Sequence, residues 1–223
     1  MNHIFEWIFS QYKDTPIHLL TIELLGVFFG LLSVLFSKKR NIWVYPTGII
    51  STVLFVYLLW VGRLFGDMLI NAYYTAMSIY GWILWAKNAQ DNVITISATT
   101  RRDWQICTLL GVFSLVFVTA VYYLKPYIKN NFSMQGISLG FHNFLPTEYV
   151  DVFTTSIFLI GMWLMAKRKV ENWVFWILGD LISVPLYLKK GMLFTSFQYF
   201  LFTIIAIMGY REWKQHLRNE TAR

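Results

Sequence analysis

The chain has 223 residues, of which 57% are hydrophobic, 19% aromatic and only 14% charged. Soluble domains carry roughly 45–50% apolar and about 25% charged residues, so this composition excludes an ordinary soluble domain and predicts a membrane protein. The formal net charge of +7 does not indicate nucleic acid, because the basic residues fall in short clusters between apolar runs and form no recognition motif.

Residues 1–16 show no basic stretch ahead of an apolar one, so no cleavable signal peptide is expected. Ile4, Phe5, Ile8 and Phe9 set against Asn2, Glu6 and Gln11 predict a short amphipathic helix lying in the interface. Seven apolar runs follow, at 17–36, 42–61, 68–86, 106–124, 150–166, 173–188 and 192–210. Each is near the ~20 residues that a spanning helix needs. Cys107, the single cysteine, sits inside the fourth run and is read as a packing residue.

Lys and Arg divide unevenly between alternate sides. One side holds Lys38, Lys39, Arg40, Lys87, Arg101, Arg102, Lys167, Arg168, Lys169, Arg211, Lys214, Arg218 and Arg223; the other holds Lys13, Arg63, Lys125, Lys129, Lys189 and Lys190. The richer side is expected to be cytoplasmic, which puts the N-terminus outside and the C-terminus inside. The loop from Lys125 to Tyr149 is then extracytoplasmic, with Phe132, Phe141 and Phe144 expected to fold back on the membrane surface.

A weak internal repeat runs at a shift near 130 residues. Lys38-Lys39-Arg40 pairs with Lys167-Arg168-Lys169, Trp43-Val44 with Trp173-Val174, Tyr57-Leu58 with Tyr187-Leu188, and Gly81 and Trp85 with Gly209 and Trp213. The repeat joins runs one to three with runs five to seven, leaving the fourth as a linker, so both units enter the membrane in the same direction. The expected fold is an all-α membrane protein with seven transmembrane helices, built as two parallel three-helix repeats around a linker helix as in SWEET-type transporters. Its divisions are an interfacial segment at 1–16, a first repeat at 17–86, the linker helix and outer loop at 87–149, a second repeat at 150–210 and a basic cytoplasmic tail at 211–223.

In the sixth run, Trp173, Trp176 and Asp180 fall at i, i+3 and i+7 and share one helix face. A carboxylate at the centre of a spanning helix costs about 2.5–3.5 kcal/mol even on the lenient insertion scale, so Asp180 is expected to face protein or water. Two indole faces beside it would suit a flat, cationic, hydrogen-bonding ligand. Asn71, Tyr74 and Ser78 repeat the same spacing in the third run, and Thr195 and Gln198 sit in the seventh, with Gln198 aligned within one position of Asn71. Trp43 and Trp173 stand at helix ends, where belt residue and ligand contact are both open readings. The carboxamides of Asn71 and Gln198 serve equally as helix staples. Glu23 is a second intramembrane acid, read as a packing contact. The four histidines have no metal spacing, and no Ser-His-Asp set, phosphate-cradling glycine loop or HExxH motif is present. No enzyme activity, metal or cofactor is therefore expected.

Trp173-x-x-Trp176-x-x-x-Asp180 resembles the WxxWxxxN/D motif of the PnuC nicotinamide riboside transporters, and the run count, repeat and length agree across essentially the whole chain. The first unit departs from the motif, keeping Trp43 but carrying Pro46 and Ile50 at the other two places. The resemblance implies uptake of nicotinamide riboside, an NAD precursor, by facilitated diffusion across the bacterial inner membrane, in a homotrimer. It implies ligand contacts from Trp173, Trp176 and Asp180; Trp43, Asn71, Tyr74, Thr195 and Gln198 rest on the repeat and facing-helix arguments. Asp180 either binds ligand or holds its helix in register. Thiamine or riboflavin is the alternative substrate, and a seven-span enzyme or receptor the alternative class.

Overall fold

Inside lipid no water is available to the backbone, so an apolar run satisfies its own N–H and C=O groups by coiling into a helix. A computed structural model describes residues 16–61, 65–86, 95–189 and 193–221, without the side chains of 65–67, 193–195 and 221. The helices are α1 (Ile17–Lys38), α2 (Val44–Val61), α3 (Phe65–Ala86), α4 (Arg101–Tyr123), α5 (Lys125–Lys129), α6 (Pro146–Ala166), α7 (Asn172–Lys189) and α8 (Leu193–Thr221). Helices α1, α2, α4 and α6 are long and apolar enough to cross a membrane. The expected interfacial helix at 4–12 lies outside the described residues.

Capping explains where helices outrun the apolar runs. α4 starts five residues early because the Asp103 carboxylate accepts the Thr100 backbone N–H at 2.9 Å while the Thr100 hydroxyl accepts from the Asp103 N–H at 3.3 Å. α6 starts at Pro146, whose missing N–H costs nothing in a first turn, and Glu148 accepts the Leu145 N–H at 3.0 Å. The tail from 211 onward continues α8 as helix. Of the three loop phenylalanines, only Phe144 is buried, with its ring near Tyr149 at 5.1 Å and Tyr122 at 6.1 Å; Phe132 and Phe141 are exposed.

Six helices close a ring: α1 packs on α2, α2 on α3, α3 on α6, α6 on α7, α7 on α8, and α8 returns to α1; α4 packs outside, on α6. Equivalent contacts recur at an offset of 128 residues. The Tyr45 ring stands edge-on to Trp85 at 4.8 Å, and the Trp173 ring edge-on to Trp213 at 5.5 Å. A Cβ on Gly81 would strike the Tyr45 ring, as one on Gly209 would strike that of Trp173. Arg40 and Arg168 both close their helix with a left-handed residue, at φ 55° and 62°.

The same offset relates two indole donors that join the halves. The Trp85 indole N–H donates to the Ala166 carbonyl at 3.1 Å, and the Trp213 indole N–H to the Ser37 and Lys38 carbonyls at 3.0 and 3.2 Å. Each half thus reaches into the end of the other half's first helix. All three bonds are at one end of the bundle, around a core of Tyr45, Trp85, Trp173 and Trp213.

This geometry corrects the register of the sequence repeat. Tyr45, not Trp43, is the counterpart of Trp173: the Tyr45 N–H donates to Ile42 O and the Trp173 N–H to Val170 O, both at the same offset. A shift of two residues turns a helical position by ~200°. Trp43 accordingly points away from the core and is 52% exposed.

Candidate aromatic site between the halves

The two halves pack their first and second helices differently. In α1 and α2 the contacts are small on small. A Cβ on Gly30 would come within 3.1 Å of the Ser51 hydroxyl, and one on Gly48 within 3.0 Å of the Ser33 hydroxyl. Ser33 donates to the Val44 carbonyl and Ser51 to the Gly26 carbonyl, each at 2.7 Å. Small residues of this kind let backbones approach and hydroxyls bridge helices.

In α6 and α7 the equivalent positions are Phe158 with Gly179, and Gly161 with Trp176. Here rings lie on glycines: a Cβ on Gly179 would sit 2.3 Å from the Phe158 ring, and one on Gly161 3.6 Å from the Trp176 indole. The second half therefore carries two large rings where the first has only Gly30 and Gly48.

Those rings belong to a continuous ladder. Tyr74 of α3 meets Trp176 of α7 at 6.3 Å, Trp176 meets Phe158 of α6 at 5.5 Å, and Phe158 stacks on Tyr199 of α8 at 6.0 Å. Tyr199 in turn stacks on Tyr187 of α7 at 5.1 Å. Asp180 is 2% exposed, one turn beyond Trp176 and next in the chain to Gly179, on which the Phe158 ring lies. Four helices, three from one half and one from the other, thus bring five rings beside a buried carboxylate.

The ladder is tightly closed. A flat ring held between two aromatic faces needs two contact gaps of about 3.5–4.0 Å, or ~7–8 Å between planes. Tyr74 and Trp176 stand 6.3 Å apart between ring centroids with their planes tilted by 60°, so they present no pair of parallel faces at that spacing. A planar ligand entering there must part these side chains, which belong to different halves.

Tyr74, Trp176 and Asp180 are thus brought together. Trp173 lies a turn away, 2% exposed in the core against Trp213. Asn71 is half-buried, and its backbone carbonyl accepts the Thr75 hydroxyl at 3.0 Å; Gln198 is half-buried on α8. Thr195 falls within α8, but its side chain lies outside the described residues. Sequence reasoning missed Phe158, Tyr187 and Tyr199. Tyr199 is the counterpart of Asn71 at the offset of 128, one residue from the Gln198 that a shift of 127 selects, and Thr52 is the counterpart of Asp180. The Thr75 hydroxyl donates to Thr52 at 2.7 Å, so the first half has a neutral hydroxyl pair where the second has an acid.

Residues 20–215 match the family described as nicotinamide mononucleotide transporter. The chain belongs to this family. Its members are membrane transporters and not enzymes. The nicotinamide riboside transporter PnuC of Escherichia coli (strain K12) is 25% identical over 214 residues, covering 91% of this chain and 88% of that protein. The riboflavin/roseoflavin transporter RibM of Streptomyces davaonensis is 24% identical over 207 residues, covering 92% and 89%. The crystal structure of the vitamin B3 transporter PnuC superposes with a TM-score of 0.64 over 95% of this chain and 86% of that one, at 21% identity, which shows a shared fold. Family membership gives the ring ladder and its acid a setting in which ligand passage, not chemistry, is the task.

Proposed function

We propose that the chain is a facilitator of nicotinamide riboside uptake, with substrate bound between two parallel three-helix units, α1–α3 and α6–α8, joined by α4 as linker. The observation that carries this reading is the ladder Tyr74–Trp176–Phe158–Tyr199–Tyr187 beside buried Asp180. A pyridinium ring stacked on indole or phenol faces gains about 0.5–2 kcal/mol from cation–π attraction. Asn71 and Gln198 lie on the two third helices and serve the carboxamide and ribose hydroxyls. Trp173 supports Trp176 from below. Trp43 lies at the membrane interface as a belt residue, and Thr195 is assigned to the site from its place on α8, one turn ahead of Gln198.

Substrate moves down its gradient by facilitated diffusion across the bacterial inner membrane. The N-terminus lies outside and the C-terminus inside, so the end with the tryptophan bonds is cytoplasmic. The protein assembles as a homotrimer. Titration of purified protein with nicotinamide riboside, thiamine and riboflavin tests the substrate assignment. Saturable binding of nicotinamide riboside, with the other two at least tenfold weaker, is the expected result. Preference for riboflavin would support the second reading, which the likeness to the riboflavin/roseoflavin transporter of Streptomyces davaonensis favours.

A further inference from the structure

Two basic triplets occupy equivalent turns at one end of the bundle, yet their side chains are engaged very differently. In the second half, all three cations of 167–169 have partners. Lys167 lies over the Tyr80 ring at 5.3 Å, and Arg168 lies over the Trp85 ring at 5.7 Å while donating to the Thr95 hydroxyl. Lys169 binds the Ala98 carbonyl and the Asp103 carboxylate, each at 3.1 Å. The segment 95–100 runs across this turn and pairs with it: the Ser97 N–H donates to Arg168 O and the Val170 N–H to Ser97 O. The Thr99 N–H donates to the Glu171 carboxylate at 2.9 Å. That strap covers the turn completely enough to bury Ile96.

Among the described residues, no such strap crosses the equivalent turn of the first half. Its turn 38–40 faces the end of α8 instead, across an open cleft of about 360 Å³ lined by Lys38, Lys39, Arg40, Glu212, Gln215, His216 and Asn219. Lys38 is paired with Glu212 at 3.0 Å, and His216 with Glu220 at 2.7 Å. Lys39 is exposed and Arg40 half-buried. Burial draws the Arg40 guanidinium down from its ordinary value, against a smaller opposite pull from Glu220 and Glu212. A neighbouring open cleft shares Gln215 and Asn219 and adds Arg211, Lys214 and Arg218 along the same helix.

We propose that the cleft between the 38–40 turn and the end of α8 is a binding site for a phosphoryl group. The chemistry fits this class. Arg40 supplies a planar donor fork, which suits two phosphate oxygens, and Lys39 a mobile point charge. Gln215 and Asn219 add neutral N–H donors on successive turns of α8 (i, i+4). The lining includes three Lys or Arg and one acid, so it keeps an excess of positive charge after the Lys38–Glu212 pair is formed. The cleft also lies where the apolar part of α8 ends, the depth at which a lipid headgroup phosphate sits. The phosphoryl group has two sources, an anionic lipid or a soluble phosphate, and the shared recognition is by Lys39 and Arg40.

The test compares wild-type protein with Lys39→Gln, Lys39→Gln/Arg40→Gln and a control, Lys129→Gln, which makes the same charge change at the other end. Each is reconstituted in phosphatidylcholine nanodiscs with and without phosphatidylglycerol, and separately titrated with inorganic phosphate in neutral lipid. The readouts are lipid retention by native mass spectrometry and the phosphate-dependent shift in melting temperature. Retention of phosphatidylglycerol that falls roughly fivefold per charge removed, and is unchanged in Lys129→Gln, supports the site with a lipid source. A phosphate-dependent melting shift lost in the same variants supports it with a soluble source. Equal lipid retention and equal phosphate response in all four proteins overturns it. Melting in neutral lipid alone reports folding, and exposed Lys39→Gln keeps the test valid should the double variant be unstable. The outcome is independent of which vitamin is carried.

Discussion

Tyr45 and Trp173 hold equivalent places in the two halves: each ring stands edge-on to a tryptophan whose indole N–H reaches the end of the opposite half's first helix. Tyr45 packs on Trp85, which binds the Ala166 carbonyl; Trp173 packs on Trp213, which binds the Ser37 and Lys38 carbonyls. The halves are therefore joined by crossed bonds around one shared core.

These bonds predict matched losses of stability. Trp85→Phe and Trp213→Phe keep a ring but remove the donor, leaving buried carbonyls without it, at about 1–3 kcal/mol each. Trp213→Phe is expected to cost more, since it serves two carbonyls. Thermal unfolding in detergent, followed by far-ultraviolet circular dichroism, checks both; no change in either variant would show that the bonds do not hold the halves together.

Gly179 and Phe158 predict a steric effect on the site itself. With its ring 2.3 Å from where a Cβ would stand, Gly179→Ala must displace Phe158, an overpacking cost of about 1–3 kcal/mol. Ligand affinity is expected to fall at least tenfold. Gly161→Ala, whose tightest contact would be 3.2 Å, is expected to stay within about threefold. Isothermal titration calorimetry on the two variants distinguishes them; equal affinities would remove Phe158 from the site.

Asp180 separates hydrogen bonding from charge. In its 2% exposed position, Asp180→Asn retains an acceptor and avoids the cost of burying a carboxylate, so most uptake should persist. Asp180→Leu offers no acceptor there and is expected to abolish uptake. Equal loss in both variants would mean that negative charge itself is required, as an ion-coupled transporter would need.

The Tyr199 hydroxyl at the end of the ladder predicts a smaller effect. Tyr199→Phe keeps the stack on Phe158 and Tyr187 but removes the hydroxyl and any hydrogen bond it offers a ligand. A neutral hydrogen bond contributes about 0.5–1.5 kcal/mol, so affinity should fall about two- to tenfold. Tyr199→Ala, which also removes the stack, should lose more. Binding titrations of both rank the two contributions, and equal affinities would show that the ring adds nothing.

Helix positions were legible in the sequence because apolar length dictates them; α1, α2, α3 and α7 begin and end within a few residues of their runs. The motif face of α7 was legible too, since Trp176 and Asp180 follow from helical spacing alone. The register of the repeat was not. Tryptophan at 43 and 173 invites a shift of 130, whereas hydrogen bonds in the turns, invisible in letters, impose 128. That two-residue error hid the pairing of Tyr45 with Trp173, and a one-residue error in α8 selected Gln198 and missed Tyr199. Phe158 was hidden for another reason: its role depends on a contact with Gly179 on the next helix, and no periodicity within one run reports that.

Counterflow in proteoliposomes tests the central claim most directly. Vesicles preloaded with unlabelled nicotinamide riboside, with no proton or sodium gradient, are expected to take up labelled nicotinamide riboside transiently above equilibrium, and Phe158→Ala is expected to abolish that overshoot. No overshoot with the wild-type protein, or one that survives Phe158→Ala unchanged, would contradict a facilitator working through the ring ladder.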